Sequence, residues 1–153
     1  MPNTYTQLYV HIVFAVKYRR AILDTGWDER LRKYITGIIQ HDGHKLLAIN
    51  NMPDHIHIFI GLDPSKSISH LMQLVKTNSS AWINKEIKPA HKFSWQTGYG
   101  AFSYAKSQID NVVKYIQNQQ EHHRKVDFQK EYRAILDNFA VDYDEKYLFT
   151  EME

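Results

Sequence analysis

Three observations predict an α+β fold built on an antiparallel sheet. Residues 5–16 and 55–60 alternate in polarity with the period of a strand, and residues 27–39 and 68–83 repeat apolar side chains at helical spacing. The elements follow one another as strand, helix, strand, strand, helix, strand, with further helical segments beyond. That order is the split β-α-β pattern of ferredoxin-like folds, in which the first and third strands lie side by side at the centre of the sheet.

The first strand is read from Tyr5 to Val16. Leu8, Val10, Ile12, Phe14 and Val16 fall on one side of it, and Tyr9, His11, Val13 and Ala15 on the other. After a break at Asp24-Thr25-Gly26, Trp27, Leu31, Tyr34, Ile35, Ile38 and Ile39 recur at helical spacing up to Asp42-Gly43. Lys45 to Asn50 reads as a second strand. Asn51-Met52-Pro53-Asp54 then forms a turn into a third strand, which ends at Gly61-Leu62-Asp63-Pro64. Ser67 precedes a helical pattern from Ile68 to Ile83 that stops before Pro89, which makes Ser67 its N-cap. Tyr99 to Tyr104 is aromatic and alternating and is predicted as the fourth strand. Ser107 is predicted to cap a third helix running through Ile109, Val112, Val113 and Ile116 to about His123. Tyr132, Ile135, Leu136 and Phe139 support a further short helix, and the tail from Val141 to Glu153 is acidic and aromatic without periodicity.

The chain has 153 residues, of which 43% are hydrophobic, 13% aromatic and 24% charged. This is the balance of a globular protein large enough to bury a core, and residues 1–153 are expected to form a single domain. A net charge of +2 permits a nucleic-acid partner without arguing for one. No apolar run approaches the roughly 18 residues that a membrane-spanning helix needs. The first residues also lack a signal-peptide profile, so a soluble cytoplasmic protein is expected. With no cysteine, thiolate metal sites are excluded and an intracellular address is the natural expectation.

The segment Met52-Pro53-Asp54-His55-Ile56-His57-Ile58-Phe59-Ile60 carries the most information. His55, His57 and Phe59 point to one face of the third strand, and Ile56, Ile58 and Ile60 to the other. The isoleucines can fill a core under the helices while paired imidazoles stand on the opposite face, with His11 sharing it. Two imidazoles on one face suit a metal ion, but they do not complete its coordination sphere. In a chain with nine histidines, such a pair also arises on ordinary strands. Tyr115 and Gln119, at i and i+4 on the third helix, share one helical face. If that helix crosses the histidine face, Gln119 can add an oxygen ligand while Tyr115 reaches a substrate. Taken singly, each is unremarkable: Tyr115 is one of ten tyrosines. Asp54, beside the histidines, is read as shaping the turn. Lys17-Tyr18-Arg19-Arg20 and His122-His123-Arg124-Lys125 combine cations with rings that can meet phosphates and bases, or that simply end solvated segments.

Three segments in order carry a resemblance: His11 to Arg19, Met52 to His57, and Trp95 to Phe102 followed by Val113-Lys114-Tyr115-Ile116-Gln117-Asn118-Gln119. In them the chain resembles the single-tyrosine HUH transposases of the insertion-sequence 200/605 type, which take their name from a His-hydrophobic-His motif. The resemblance implies a ferredoxin-like sheet with helices on one face and an added C-terminal catalytic helix. It implies Tyr115 as nucleophile, forming a 5′-phosphotyrosine, and a divalent cation, Mg2+ or Mn2+, bound by His55, His57 and Gln119. It also implies single-stranded DNA bearing hairpins as substrate, and a homodimer that can exchange its tyrosine helices. His11, Lys17, Arg19, Arg20, Arg124 and Lys125 are the candidate phosphate contacts. Two imidazoles and an amide lean towards manganese on ligand preference. A domesticated relative that processes genomic palindromes, a non-catalytic hairpin-binding module and a hydrolase using water are the alternatives the residues leave open.

Overall fold

The computed structural model describes residues 3–20, 22–23, 26–122 and 127–143, with the side chains of Arg19 and His122 left out. The elements come in the predicted order: β1 (Tyr9–Ala15), α1 (Asp28–His41), β2 (Lys45–Met52), β3 (His55–Gly61), α2 (Ile68–Trp82), β4 (Gly100–Tyr104), α3 (Ile109–Gln117), α4 (Gln119–His122) and α5 (Phe128–Asn138). The sheet has four strands in the order β2-β3-β1-β4, and each neighbouring pair is antiparallel. β1 and β3 are thus the central pair, as the split β-α-β pattern requires.

The period-2 alternation sets the two faces. Val10, Ile12 and Phe14 of β1 and Ile56, Ile58 and Ile60 of β3 pack with Leu31, Ile35 and Ile39 of α1 and Leu71, Met72 and Val75 of α2. This is the predicted apolar core. Ser67 caps α2 as expected, its hydroxyl oxygen accepting the His70 N–H at 3.1 Å. Among the described residues, no helix is long and apolar enough to cross a membrane.

Several local expectations are corrected. β1 begins at Tyr9, four residues later than predicted, and Val16 lies outside the strand in an isolated bridge to Trp95. β2 runs on to Met52, so the hairpin turns on Pro53 and Asp54 alone, with Met52 opposite His55. Ser107 caps nothing. It sits inside a 3-10 turn, Lys106–Gln108, where the Gln108 side-chain oxygen accepts the Ala105 N–H at 2.9 Å. The third helix does not run unbroken to His123, because α3 ends at Gln117 and Asn118 leaves helical geometry. At the break the side-chain amide of Asn50 of β2 donates to the Ile116 and Gln117 carbonyls at 2.9 and 3.4 Å and so satisfies acceptors of the last turn.

The second face of the sheet is not open. Phe59 and Ala48 pack against Val112 and Ile116 of α3, and Val13 and Ala15 against Phe128 and Leu136 of α5. Gly100 of β4 admits α5 at this point, since a Cβ there would lie 2.7 Å from Cε1 of Tyr132. The histidines therefore sit between the sheet and two helices rather than at the surface.

Candidate active site

β3 presents His55 and His57 to this covered face, and both are fully buried. His55 Nδ1 lies 2.6 Å from Oδ1 of Asp54, the last residue of the hairpin turn. Asp54 thus does more than shape the turn. It fixes the orientation of the imidazole and turns Nε2 inward, as outer carboxylates do for metal-binding histidines. On β1, His11 stacks on His57 with ring centroids 5.1 Å apart, and its Nε2 lies 2.8 Å from His57 Nδ1. His57 is therefore held in the same manner by an imidazole.

Both inward nitrogens meet one carboxylate. Glu131 Oε1 of α5 lies 3.2 Å from His57 Nε2 and 3.4 Å from His55 Nε2. Potential ligand atoms of His55, His57 and Glu131 all fall within 4.8 Å of one another, a spacing that can hold a metal ion. The other oxygen of Glu131 accepts the hydroxyl hydrogen of Tyr115. Tyr115 stands edge-on to His57 at 5.8 Å and to His11 at 6.2 Å between ring centroids. The phenol and the histidine pair are thus joined through one glutamate within a single chain.

Sequence reasoning missed Glu131. A signal for it existed: the residue stands three after Phe128 and four before Ile135, so it interrupts the apolar stripe of α5 with a charge, yet it is only 3% exposed. Gln119 is fully buried just beyond α3, its amide nitrogen donating to the Tyr115 carbonyl at 3.3 Å. Its Oε1 has no hydrogen-bond partner among the described residues. A buried amide oxygen left unpaired is costly, so it marks a position suited to a ligand.

Electrostatics follow from burial. Removal from water, with His57 adding to it, lowers His11 to about 3, so its ring is uncharged. His11 is thus a buried, neutral ring packed on His57 rather than a surface cation. For His55, burial acts downward, but hydrogen bonds and charge from Asp54 and Glu131 outweigh it and hold the imidazole above its ordinary range. Burial first, and the Glu131 carboxylate next, push the Tyr115 phenol up.

Of the other candidate DNA contacts, Lys17 Nζ and Arg20 Cζ lie 5.3 and 5.6 Å from the centre of the Tyr18 ring. Together with His91 and Lys92 they line a cavity of about 260 Å³ to which His11, His55 and His57 do not contribute. The backbone of Arg19 belongs to the same turn. Arg124 and Lys125 lie outside the described residues.

The family of IS200-like transposases matches residues 4–119. The ISDra2 transposase TnpA of Deinococcus radiodurans is 23% identical over 120 residues, covering 75% of this chain and 86% of the relative. The transposase for insertion sequence element IS200 of Salmonella typhimurium is 26% identical over 116 residues, covering 72% of this chain and 76% of its own length. Among solved structures, a protein of Deinococcus radiodurans R1 described as a candidate transposase superposes with a TM-score of 0.62 at 24% identity, covering 76% of this chain and 94% of that one. A REP-associated tyrosine transposase bound to a REP hairpin superposes with the same TM-score, 0.62, at 17% identity, covering 81% and 73%. At these identities the superpositions speak for the fold. Because the family match spans both the histidine strand and the tyrosine helix, the chain belongs to the IS200-like transposase family.

Proposed function

We propose that this chain cleaves and rejoins single-stranded DNA at hairpin-bearing element ends, with Tyr115 as the nucleophile. One observation carries the reading: the Tyr115 hydroxyl is bonded to the carboxylate that also faces the inward nitrogens of His55 and His57. The phenolic oxygen attacks phosphorus, the bond to the 3′-oxygen breaks, and a 5′-phosphotyrosine and a free 3′-hydroxyl result. The bond energy is kept in the phosphotyrosine. A 3′-hydroxyl from another strand can then reverse the step and join DNA in a new order without ATP.

His55 and His57, with Glu131 and Gln119, would hold a divalent cation. The fit is supported by the convergence of three ligand atoms and by the unpaired, buried Gln119 Oε1. Glu131 adds a hard, anionic oxygen to a donor set that would otherwise hold only imidazoles and an amide, which suits Mg2+ or Mn2+ better than the amide set alone. When bound, such an ion polarises the scissile phosphate and offsets developing charge. Asp54 and His11 orient the two histidines. Glu131 holds the Tyr115 hydroxyl beside them, and Lys17 and Arg20 would meet backbone phosphates.

The hairpin substrate is supported by the fold neighbour that carries a REP hairpin. The same neighbour favours a second reading, a domesticated relative acting on genomic palindromes. Palindromes close to both ends of the gene, with a second copy of the unit elsewhere in the genome, distinguish transposition from that role. A homodimer, with or without exchange of the tyrosine helix, follows from the family resemblance and is tested by sedimentation. The central test is a denaturing-gel assay of labelled strands from the gene's flanks with and without Mn2+ or Mg2+. A metal-dependent covalent adduct is expected from the wild-type protein; tight hairpin binding with no adduct would leave a binding module in its place.

A further inference from the structure

Beside the tyrosine lies a cavity of about 420 Å³ that the cleavage reaction as described does not use. It opens between α3 and α5, above β1 and β4. Val112 and Ile135 give it apolar walls, the ring of Tyr104 lines it, and Asn111 and Asn138 stand at its exposed rim. Its volume falls within the roughly 300–1,000 Å³ typical of small-ligand pockets. His11, only 1% exposed, also lines it, and His11 Nδ1 has no hydrogen-bond partner among the described residues. Tyr115 and Glu131 form its border with the histidine pair.

The chemistry of the lining selects the occupant. Glu131 is the only charged side chain lining it among the described residues, and no lysine or arginine does, so a phosphate is disfavoured. Side-chain amides, one unpaired imidazole nitrogen and an aromatic ring suit a flat, neutral molecule with donors and acceptors on its edge. A nucleobase has that character. Asparagine and glutamine read base edges through paired donor and acceptor groups, and single-stranded bases are commonly unstacked onto aromatic side chains. A strand whose phosphate lies at the Tyr115 hydroxyl brings its flanking base to this opening.

We propose that this cavity receives one unstacked nucleobase next to the scissile phosphate, so that the protein itself reads part of the cleavage sequence. The proposal rests on the reading of Tyr115 as the nucleophile of DNA cleavage.

The test uses the whole protein with Mn2+ and a cleaved flank strand in which the nucleotide on each side of the cut is, in turn, each of the four bases or an abasic residue. Single-turnover adduct formation is measured beside hairpin binding by gel shift. On one side of the cut, the abasic strand and the disfavoured bases should react roughly 10- to 100-fold more slowly, with hairpin binding unchanged. Asn111→Ala and Asn138→Ala change exposed rim residues and should flatten the preference among bases. Ala134→Phe fills the mouth of the cavity from an exposed position and should slow the preferred strand towards the abasic rate. Equal rates for all strands on both sides would overturn the proposal, as would a base preference unchanged in Ala134→Phe. If no strand yields an adduct, the nucleophile reading fails and this proposal falls with it; adduct formation that ignores base identity removes this proposal alone.

Discussion

The two faces of β3 are built from the same seven residues, yet they are stabilised by different physics. On one face, Ile56, Ile58 and Ile60 meet two helices and are held by exclusion of apolar surface from water. On the other, His55 and His57 are buried as deeply; His55 stacks on Phe128 with ring centroids 4.2 Å apart, and the pair also has polar partners in Asp54, His11, Glu131 and, through Glu131, Tyr115. A buried polar cluster is tolerable only when its members are paired. The first face therefore responds to changes in volume, while the second responds to the loss of a particular atom. Here depth of burial marks stability on one side of the sheet and chemistry on the other.

The sharpest break between the faces comes from Tyr115→Phe. Removing one oxygen should abolish the covalent DNA adduct while circular dichroism and hairpin binding stay as in the wild type; an adduct retained in this variant would mean another nucleophile. On the apolar face, Ile58→Ala, at a residue 1% exposed, should cost about 2–5 kcal/mol of unfolding free energy in urea titrations. A cost below 1 kcal/mol would show that this face is loosely packed.

Glu131→Gln keeps the shape and removes the charge. Its effect should appear in Mn2+ binding measured by calorimetry, with affinity falling about 10- to 100-fold and stability of the metal-free protein changing far less than in Ile58→Ala. Unaltered Mn2+ affinity would remove Glu131 from the ligand set. The smallest effects come from two helix caps, one over each face. Ser67 caps α2, and the Asp127 side chain accepts the Lys130 N–H at 2.9 Å to cap α5. Ser67→Ala and Asp127→Ala should each cost about 1 kcal/mol in thermal or urea melts. Only Asp127→Ala should also weaken Mn2+ binding, because α5 carries Glu131. Equal Mn2+ affinity in the two cap variants would mean that Glu131 is held without help from its helix start.

Gly100 and Asn50 show why parts of the molecule could not be read in advance. Nothing local to Gly100 says that Tyr132 will press on it, and nothing near Asn50 says that its amide will take the carbonyls that end α3. Both effects join residues far apart in the chain. The same holds for His11: its face on β1 was legible from alternation, but its neutral state comes first from burial beneath the covering helices and then from its neighbour His57.

By itself the sequence determined the order of elements, the central pairing of β1 with β3, and the division of β3 into an isoleucine face and a histidine face. The elements and the two faces depend on local periods of two and 3.6 residues, which are properties of neighbours in the chain, and the β1–β3 pairing follows from the order of elements through the split β-α-β pattern. It also paired Tyr115 with Gln119, but as members of one unbroken helix, whereas α3 ends at Gln117 and Gln119 opens α4 beyond the break. Only the tertiary structure decided that the histidine face is covered, that Asp54 and His11 orient the imidazoles, and that Glu131 joins both histidines to the Tyr115 hydroxyl. The reason is separation: Glu131 lies 74 residues beyond His57, and no periodicity brings such partners together until α5 docks on the sheet.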